Sequence, residues 1–163
     1  LFIGDPVQLS GSSHLGFPEV AIATVGTPFI SGVITGITRV GTGGTNDPNK
    51  APGVPNQTYL ANTEDGFVSV CLDPHAIYEI QEDSVGSNIA DTDIGEFCDL
   101  TFSAGNTTIG LSTCELDSSD AGTGDNVRLL GRVRRPDVDL SAANCRFYVV
   151  INENTLNSVT TPV

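Results

Sequence analysis

The chain contains no methionine and no tryptophan, and it is poor in cations. Seven Lys and Arg stand against twenty Asp and Glu, a formal charge of −13 over 163 residues. That shortage excludes a general nucleic-acid binder, whose affinity rests on lysine and arginine meeting phosphates. It equally disfavours attachment to anionic membranes. Long apolar runs are missing too, and none approaches the ~20 consecutive apolar residues of a spanning helix. We therefore expect neither direct nucleic-acid contact nor a membrane partner. Apolar residues three and four apart are nowhere sustained, which argues against amphipathic helices. With no tryptophan and only Tyr59, Tyr78 and Tyr148 as tyrosines, little is left for the aromatic platform of a sugar-binding groove. The missing methionine, together with an opening in mid-pattern on Leu-Phe-Ile, implies that residues precede Leu1, as a cleaved leader or an N-terminal arm.

What remains reads as β-strands arranged around residues 66–102. Phe67, Val68, Val70, Cys71 and Leu72 form an apolar run too short for a helix and rich in β-branched and aromatic groups. Asp73-Pro74 breaks it, because proline has no N–H for a sheet ladder and restricts its predecessor. Beyond the break, Ala76, Tyr78 and Ile80 alternate with Ile77, Glu79 and Gln81, the period of a strand with one buried face. Glu82-Asp83-Ser84 closes that strand in polar residues, and 97–102 reads as a third short strand. Further strands are expected to begin near Val7 and to cover 20–25, 127–133 and 147–152, with a loop at 10–13 and a turn plus short strand over 105–111. Residues 29–40 are strongly β-branched but interrupted by Gly32 and Gly36, and glycine inside a strand marks a bulge or a close backbone approach.

Residues 41–57 change character, being rich in Gly, Pro and Asn with hardly a large apolar group. Long structureless loops are uncommon inside compact domains, so this stretch reads as an insertion projecting from the body. The expected fold is all-β: a single compact antiparallel β-barrel or sandwich of about eight to ten strands. It spans residues 1–154, with 41–57 as the projecting loop and 155–163 as a C-terminal tail of low complexity.

The chemical inventory is thin. His14 and His75 are far apart and each sits beside a turn signal, the ordinary place for a surface histidine. No serine lies in a nucleophile-elbow pattern. Cys71, Cys98, Cys114 and Cys145 lack the close pairing of zinc ligands, and a domain of this size has no need of disulfide staples, so buried free thiols are the favoured reading. The acidic run around Asp91 and Asp93, with Asp99 beyond it, fails the EF-hand register, since glycine falls at the fifth place and Phe102 at the twelfth. A solvated turn is the better account. No cofactor, metal site or catalytic set is expected.

The few cations are unevenly placed: Arg128, Arg132, Arg134, Arg135 and Arg146 crowd one stretch. They suit either docking on the acidic part of a neighbour or internal pairing with Asp125, Asp137 and Asp139. The phrases LFIGDPV (1–7), GVITG (32–36), DPHAIYEIQED (73–83), LDSS (116–119), LGRVRRPD (130–137) and VINE (150–153) follow in that order. Together they resemble a family of capsid-associated structural proteins of tailed bacteriophages, common in marine phages. The resemblance runs from Leu1 to about residue 153, although the four cysteines and the 41–57 insertion depart from the family's usual pattern. It implies a capsid decoration (cement) protein without enzymatic activity, assembled in the host cytoplasm and located on the outer surface of the virion. Its implied partners are the major capsid protein and neighbouring copies of itself.

Expected contact residues are Leu1 and Phe2 at the start; Asn46, Asp47, Pro48, Asn49, Lys50, Pro52 and Val54 on the projecting loop; and Arg134, Arg135 and Asp137 at the R-P-D turn. The alternative from another class is a carbohydrate-binding or adhesive β module on a virion or cell surface. A β-fold hydrolase working through paired carboxylates is a third reading, with nothing in the sequence to single out a pair.

Overall fold

Alternation of apolar and polar side chains becomes strand pairing throughout the described chain. The computed structural model describes residues 1–14, 16–24, 29–39, 59–61, 66–136 and 144–152. Its strands are β1 (Pro6–His14), β2 (Phe17–Ile22), β3 (Gly32–Arg39), β4 (Gly66–Cys71), β5 (Tyr78–Gln81), β6 (Phe97–Cys98), β7 (Leu100–Thr101), β8 (Glu115–Leu116), β9 (Val127–Arg132) and β10 (Arg146–Ile151). Two short 3-10 turns, Asp91–Asp93 and Ser118–Asp120, are the helical pieces among the described residues. The strands form one four-stranded sheet in the order β2-β1-β3-β4, another in the order β5-β10-β9-β6, and a β7-β8 ribbon. All strand pairs are antiparallel. The fold is all-β, as expected, and sandwich-like, because the pairing separates into distinct sheets.

The core lies between them. On β10, Phe147, Val149 and Ile151 point inward, and on β9 Val127 and Leu129 do the same. They pack in one cluster with Ala23 and Ile30 from the first sheet's connection and with Ile89, Leu100 and Leu116. Burial of this kind contributes roughly 1.5–3 kcal/mol per large side chain, and it selects the inward residue of each alternating pair.

The two glycines of β3 act in different ways. A Cβ on Gly32 would come 2.1 Å from the Cys71 carbonyl oxygen, so the backbones of β3 and β4 meet there without room for a side chain. Gly36 follows a bulge, where pairing jumps from Ile34↔Val70 to Gly36↔Ser69 and Thr35 is the extra residue. A second bulge lies in β9: Tyr148 faces Gly131 and Val149 faces Leu129, so Leu130 is unpaired.

Several expectations are corrected. Residues 10–13 are not a loop, because β1 continues to His14 and pairs with β2 again at Ser13↔Pro18 after an irregularity. The strand expected at 20–25 is displaced to Phe17–Ile22. The single strand expected at 97–102 is two, broken at Asp99, whose Oδ1 accepts the Asp125 N–H (2.8 Å). Phe97–Cys98 then pairs with β9, and Leu100–Thr101 with β8. In place of a strand near 105–111 there are isolated bridges, Asn106↔Leu111 and Ile3↔Leu111, around a turn in which Asn106 Oδ1 accepts the Thr108 N–H (2.9 Å). The 41–57 insertion and the 155–163 tail lie outside the described residues.

Candidate functional site

The outer face of the second sheet follows from the same alternation that builds the core. Opposite the inward Phe147 and Val149, β10 turns Tyr148 outward, and opposite Val127 and Leu129, β9 turns out Arg128 and the bulged Leu130. Phe97 sits beside Arg128 on the β6 edge. Leu130 is 43% exposed, Tyr148 39% and Phe97 37%, so an apolar strip faces water across three strands. Period-two alternation along β9 turns Leu130 outward, and the bulge beyond it re-aims Gly131 and Arg132, which pair with Tyr148 and Phe147.

Arginines border the strip. Glu79, on β5 opposite Tyr148, accepts hydrogen bonds from both Arg135 and Arg146, the latter at 3.2 Å. Arg128 Nε donates to the Gly95 carbonyl (2.9 Å). Arg134 is exposed and makes no ion pair with the described residues. Arg132 is different. It is half-buried, 2.9 Å from Asp91 Oδ1, bonded to the Ile89 carbonyl and set over the Phe147 ring at 5.4 Å, so it braces the fold. Internal pairing therefore occurs, but through Glu79 and Asp91 in place of the expected Asp125; Asp137 and Asp139 lie outside the described residues.

Carboxylates crowd the far end of β9. Asp99 accepts the Asp125 N–H, and Asp117 Oδ1 accepts the Ser119 N–H (3.0 Å) at the start of the second 3-10 turn. The Asp117 charge, with smaller contributions from burial and Asp99, holds the Asp120 carboxyl above its usual range. Burial and Asp99 do the same to Asp125. On the first sheet Leu9 and Phe17 are exposed too, at 50% and 59%. Phe17 meets Phe67 edge-on at 5.3 Å although β2 and β4 are opposite edges, so this sheet curls strongly.

The expected contact residues fall into three groups. Leu1 and Phe2 are knitted into the body: the Leu1 ammonium donates to the Leu60 carbonyl (2.8 Å), and the Leu60 N–H returns a bond to the Leu1 carbonyl (2.7 Å). Phe2 stacks on Tyr59 at 5.1 Å and fills the space above Gly105. Arg134 and Arg135 stand exposed just beyond β9, bordering the apolar strip. Asn46, Asp47, Pro48, Asn49, Lys50, Pro52, Val54 and Asp137 lie outside the described residues. The sequence reading missed Phe97, Leu130 and Tyr148. The FYVV alternation could have marked Tyr148 as outward and the VRLL alternation Leu130, whereas nothing local announces the bulge that follows.

Other chemistry is sparse. His14 and His75 are exposed, and the His75 N–H donates to Asp73 Oδ1 (2.8 Å) in a turn. Asp93 accepts the Ala90 N–H (2.7 Å), which ties the acidic run into a local turn. No group of three His, Cys, Asp or Glu is placed to hold a metal among the described residues. All four cysteines are free, Cys98 and Cys145 buried and Cys71 and Cys114 half-buried. A mostly apolar cleft of about 480 Å³ lies between the sheets, lined by Ile30, Val33, Tyr78 and Val149 among others. No family model matches the chain, and neither does any curated protein or solved structure.

Proposed function

We propose that this chain is a non-enzymatic virion structural protein that binds the outer surface of an icosahedral phage head and stabilises contacts between major capsid protein subunits. The observation that carries the reading is the exposed apolar strip of Phe97, Leu130 and Tyr148 on the second sheet, with Leu9 and Phe17 exposed on the first. A protein that bridges two neighbours needs two docking surfaces on one rigid body, and apolar strips rimmed by polar groups mark protein contacts. Affinity per contact can be modest, because a repetitive lattice reinforces each copy. The resemblance to phage head proteins supports the same reading. Its phrases also meet in space: the Asp83 N–H donates to the Leu116 carbonyl (2.9 Å) and the Ser118 hydroxyl donates to Asp83 Oδ1 (2.8 Å), joining DPHAIYEIQED to LDSS.

The test is co-sedimentation of the purified protein with mature phage heads stripped of it, at several salt concentrations. Saturable binding at a fixed ratio to the major capsid protein is the expected result. Absence of binding to every head form would sink the reading. Deletion of residues 46–54 should weaken occupancy if the projecting loop contributes, and unchanged occupancy removes it from the contact.

A further inference from the structure

The strand register places the charges of the outer face of the second sheet at opposite corners. Arg146 pairs with Gln81 and Phe147 with Arg132, so Arg134, Arg135 and Arg146 share the corner where β5 and β10 meet the exit of β9. Two guanidinium groups there share the single carboxylate of Glu79. At the diagonally opposite corner β6 meets the entry of β9. Glu96 precedes β6, Asp125 precedes β9, and the Gly122 N–H donates to the Phe97 carbonyl (2.8 Å), bringing the Asp120 turn alongside. Arg128, paired with Phe97, is a cation at this corner as well, but its Nε is taken up by the Gly95 carbonyl and the three carboxylates outnumber it. The apolar strip of Tyr148, Leu130 and Phe97 runs between the corners.

We propose that this face is a self-complementary contact between two copies of the chain. A two-fold axis lying in the contact plane, perpendicular to the line joining the corners, exchanges them. Each copy's basic corner then covers the other's acidic corner, while the apolar strips pack face to face, an isologous and therefore closed arrangement. Charge selects the occupant. With twenty acidic residues to seven basic ones, the chain's own surface supplies the acidic complement, and the like net charge of two copies disfavours contacts that lack such pairing. Four strands ~4.8 Å apart and about six residues long at ~3.4 Å each present a face of roughly 20 by 20 Å. That is well below the ~800 Å² per partner of a standard stable interface. The dimer is consequently weak in free solution and firm where copies are held side by side.

This contact goes beyond head binding and requires no head. Sedimentation equilibrium of the full chain alone, across a wide concentration range at low and high salt, tests it. The average mass should climb from monomer towards dimer at low salt and fall back as salt is added. Leu130→Glu should raise the dissociation constant roughly ten-fold or more, with an unchanged circular-dichroism spectrum because Leu130 is exposed. Arg134→Glu and Asp120→Arg should each weaken association, and the double variant should recover it, since the swap restores complementarity across the axis. A monomer at every concentration and salt overturns the proposal, as does association indifferent to Leu130→Glu or a double variant weaker than both singles. A dimer that forms normally but never binds heads leaves this contact standing and removes the function proposed above.

Discussion

Glu82 and Cys145 hold each other twice: the Glu82 N–H donates to the Cys145 carbonyl (2.9 Å), and the Cys145 N–H donates to Glu82 Oε1 (3.0 Å). The second carboxylate oxygen accepts the Ile89 N–H (2.9 Å), so one fully buried side chain satisfies two backbone donors. Replacing either oxygen by an NH₂ sets donor against donor. We predict that Glu82→Gln destabilises the protein by about 1–3 kcal/mol, the cost of a buried group left unpaired. Urea denaturation measures it, and a variant as stable as the wild type would refute the bracing role.

Gly32 and Gly36 separate two reasons for glycine in one strand. Gly32→Ala drives a Cβ into the Cys71 carbonyl oxygen at 2.1 Å and forces β3 away from β4. A loss of about 1–3 kcal/mol is expected, in the range of overpacked sites. Gly36→Ala meets only Ser69, at 3.6 Å. It should lie between neutral and about 1 kcal/mol stabilising, through the reduced freedom of the unfolded chain. Thermal melts of the two variants should therefore move apart.

Asp83 and Asp120 are predicted to act in opposite senses with pH. Burial pushes the Asp83 carboxyl up, but hydrogen bonds from the Val85 N–H and from the hydroxyl and N–H of Ser118 outweigh it and hold the group below the ordinary 3.8. A lowered folded pKa gives stability that is present above 3.8 and is lost as pH falls through the folded value. Ser118→Ala should thus lower the urea midpoint at neutral pH, with the deficit narrowing in acid.

For Asp120 the folded pKa is raised, chiefly by Asp117, so ionisation penalises the folded state at neutral pH and the penalty lifts as pH falls through the raised value towards 3.8. Asp120→Asn should raise the midpoint at neutral pH, and the gain should vanish below the aspartate range. A gain of constant size at every pH would dissociate it from charge.

Cys98 and Cys114 are predicted to be poor nucleophiles in the native protein. Burial first, then the surrounding carboxylates, push each thiol up to about 12. The thiolate is the reactive form, so alkylation at neutral pH should spare both until denaturant is added. Mass-spectrometric mapping of modified peptides reads this directly, and rapid native labelling of Cys98 would contradict its burial.

The strands over 66–71, 78–81, 127–132 and 146–151 were legible because their signals are local. Period-two alternation, β-branched residues and the Asp73-Pro74 break act within a few neighbours, and the bulge and close approach at Gly36 and Gly32 have a cause in the residue itself. The sequence by itself thus determined an all-β chain and the approximate course of these strands. The tertiary structure alone decided what depends on distant partners. Glu82 reads as a polar strand end, yet it is buried because Cys145, 63 residues on, supplies a donor. Glu79 gathers Arg135 and Arg146 from 56 and 67 residues away. Arg132 faces Phe147 only because the pairing of β9 with β10 slips by one residue at Leu130, a register that no local pattern encodes. Such contacts are chosen by packing geometry and by the need to satisfy buried polar groups, and both exist only once the sheets have come together.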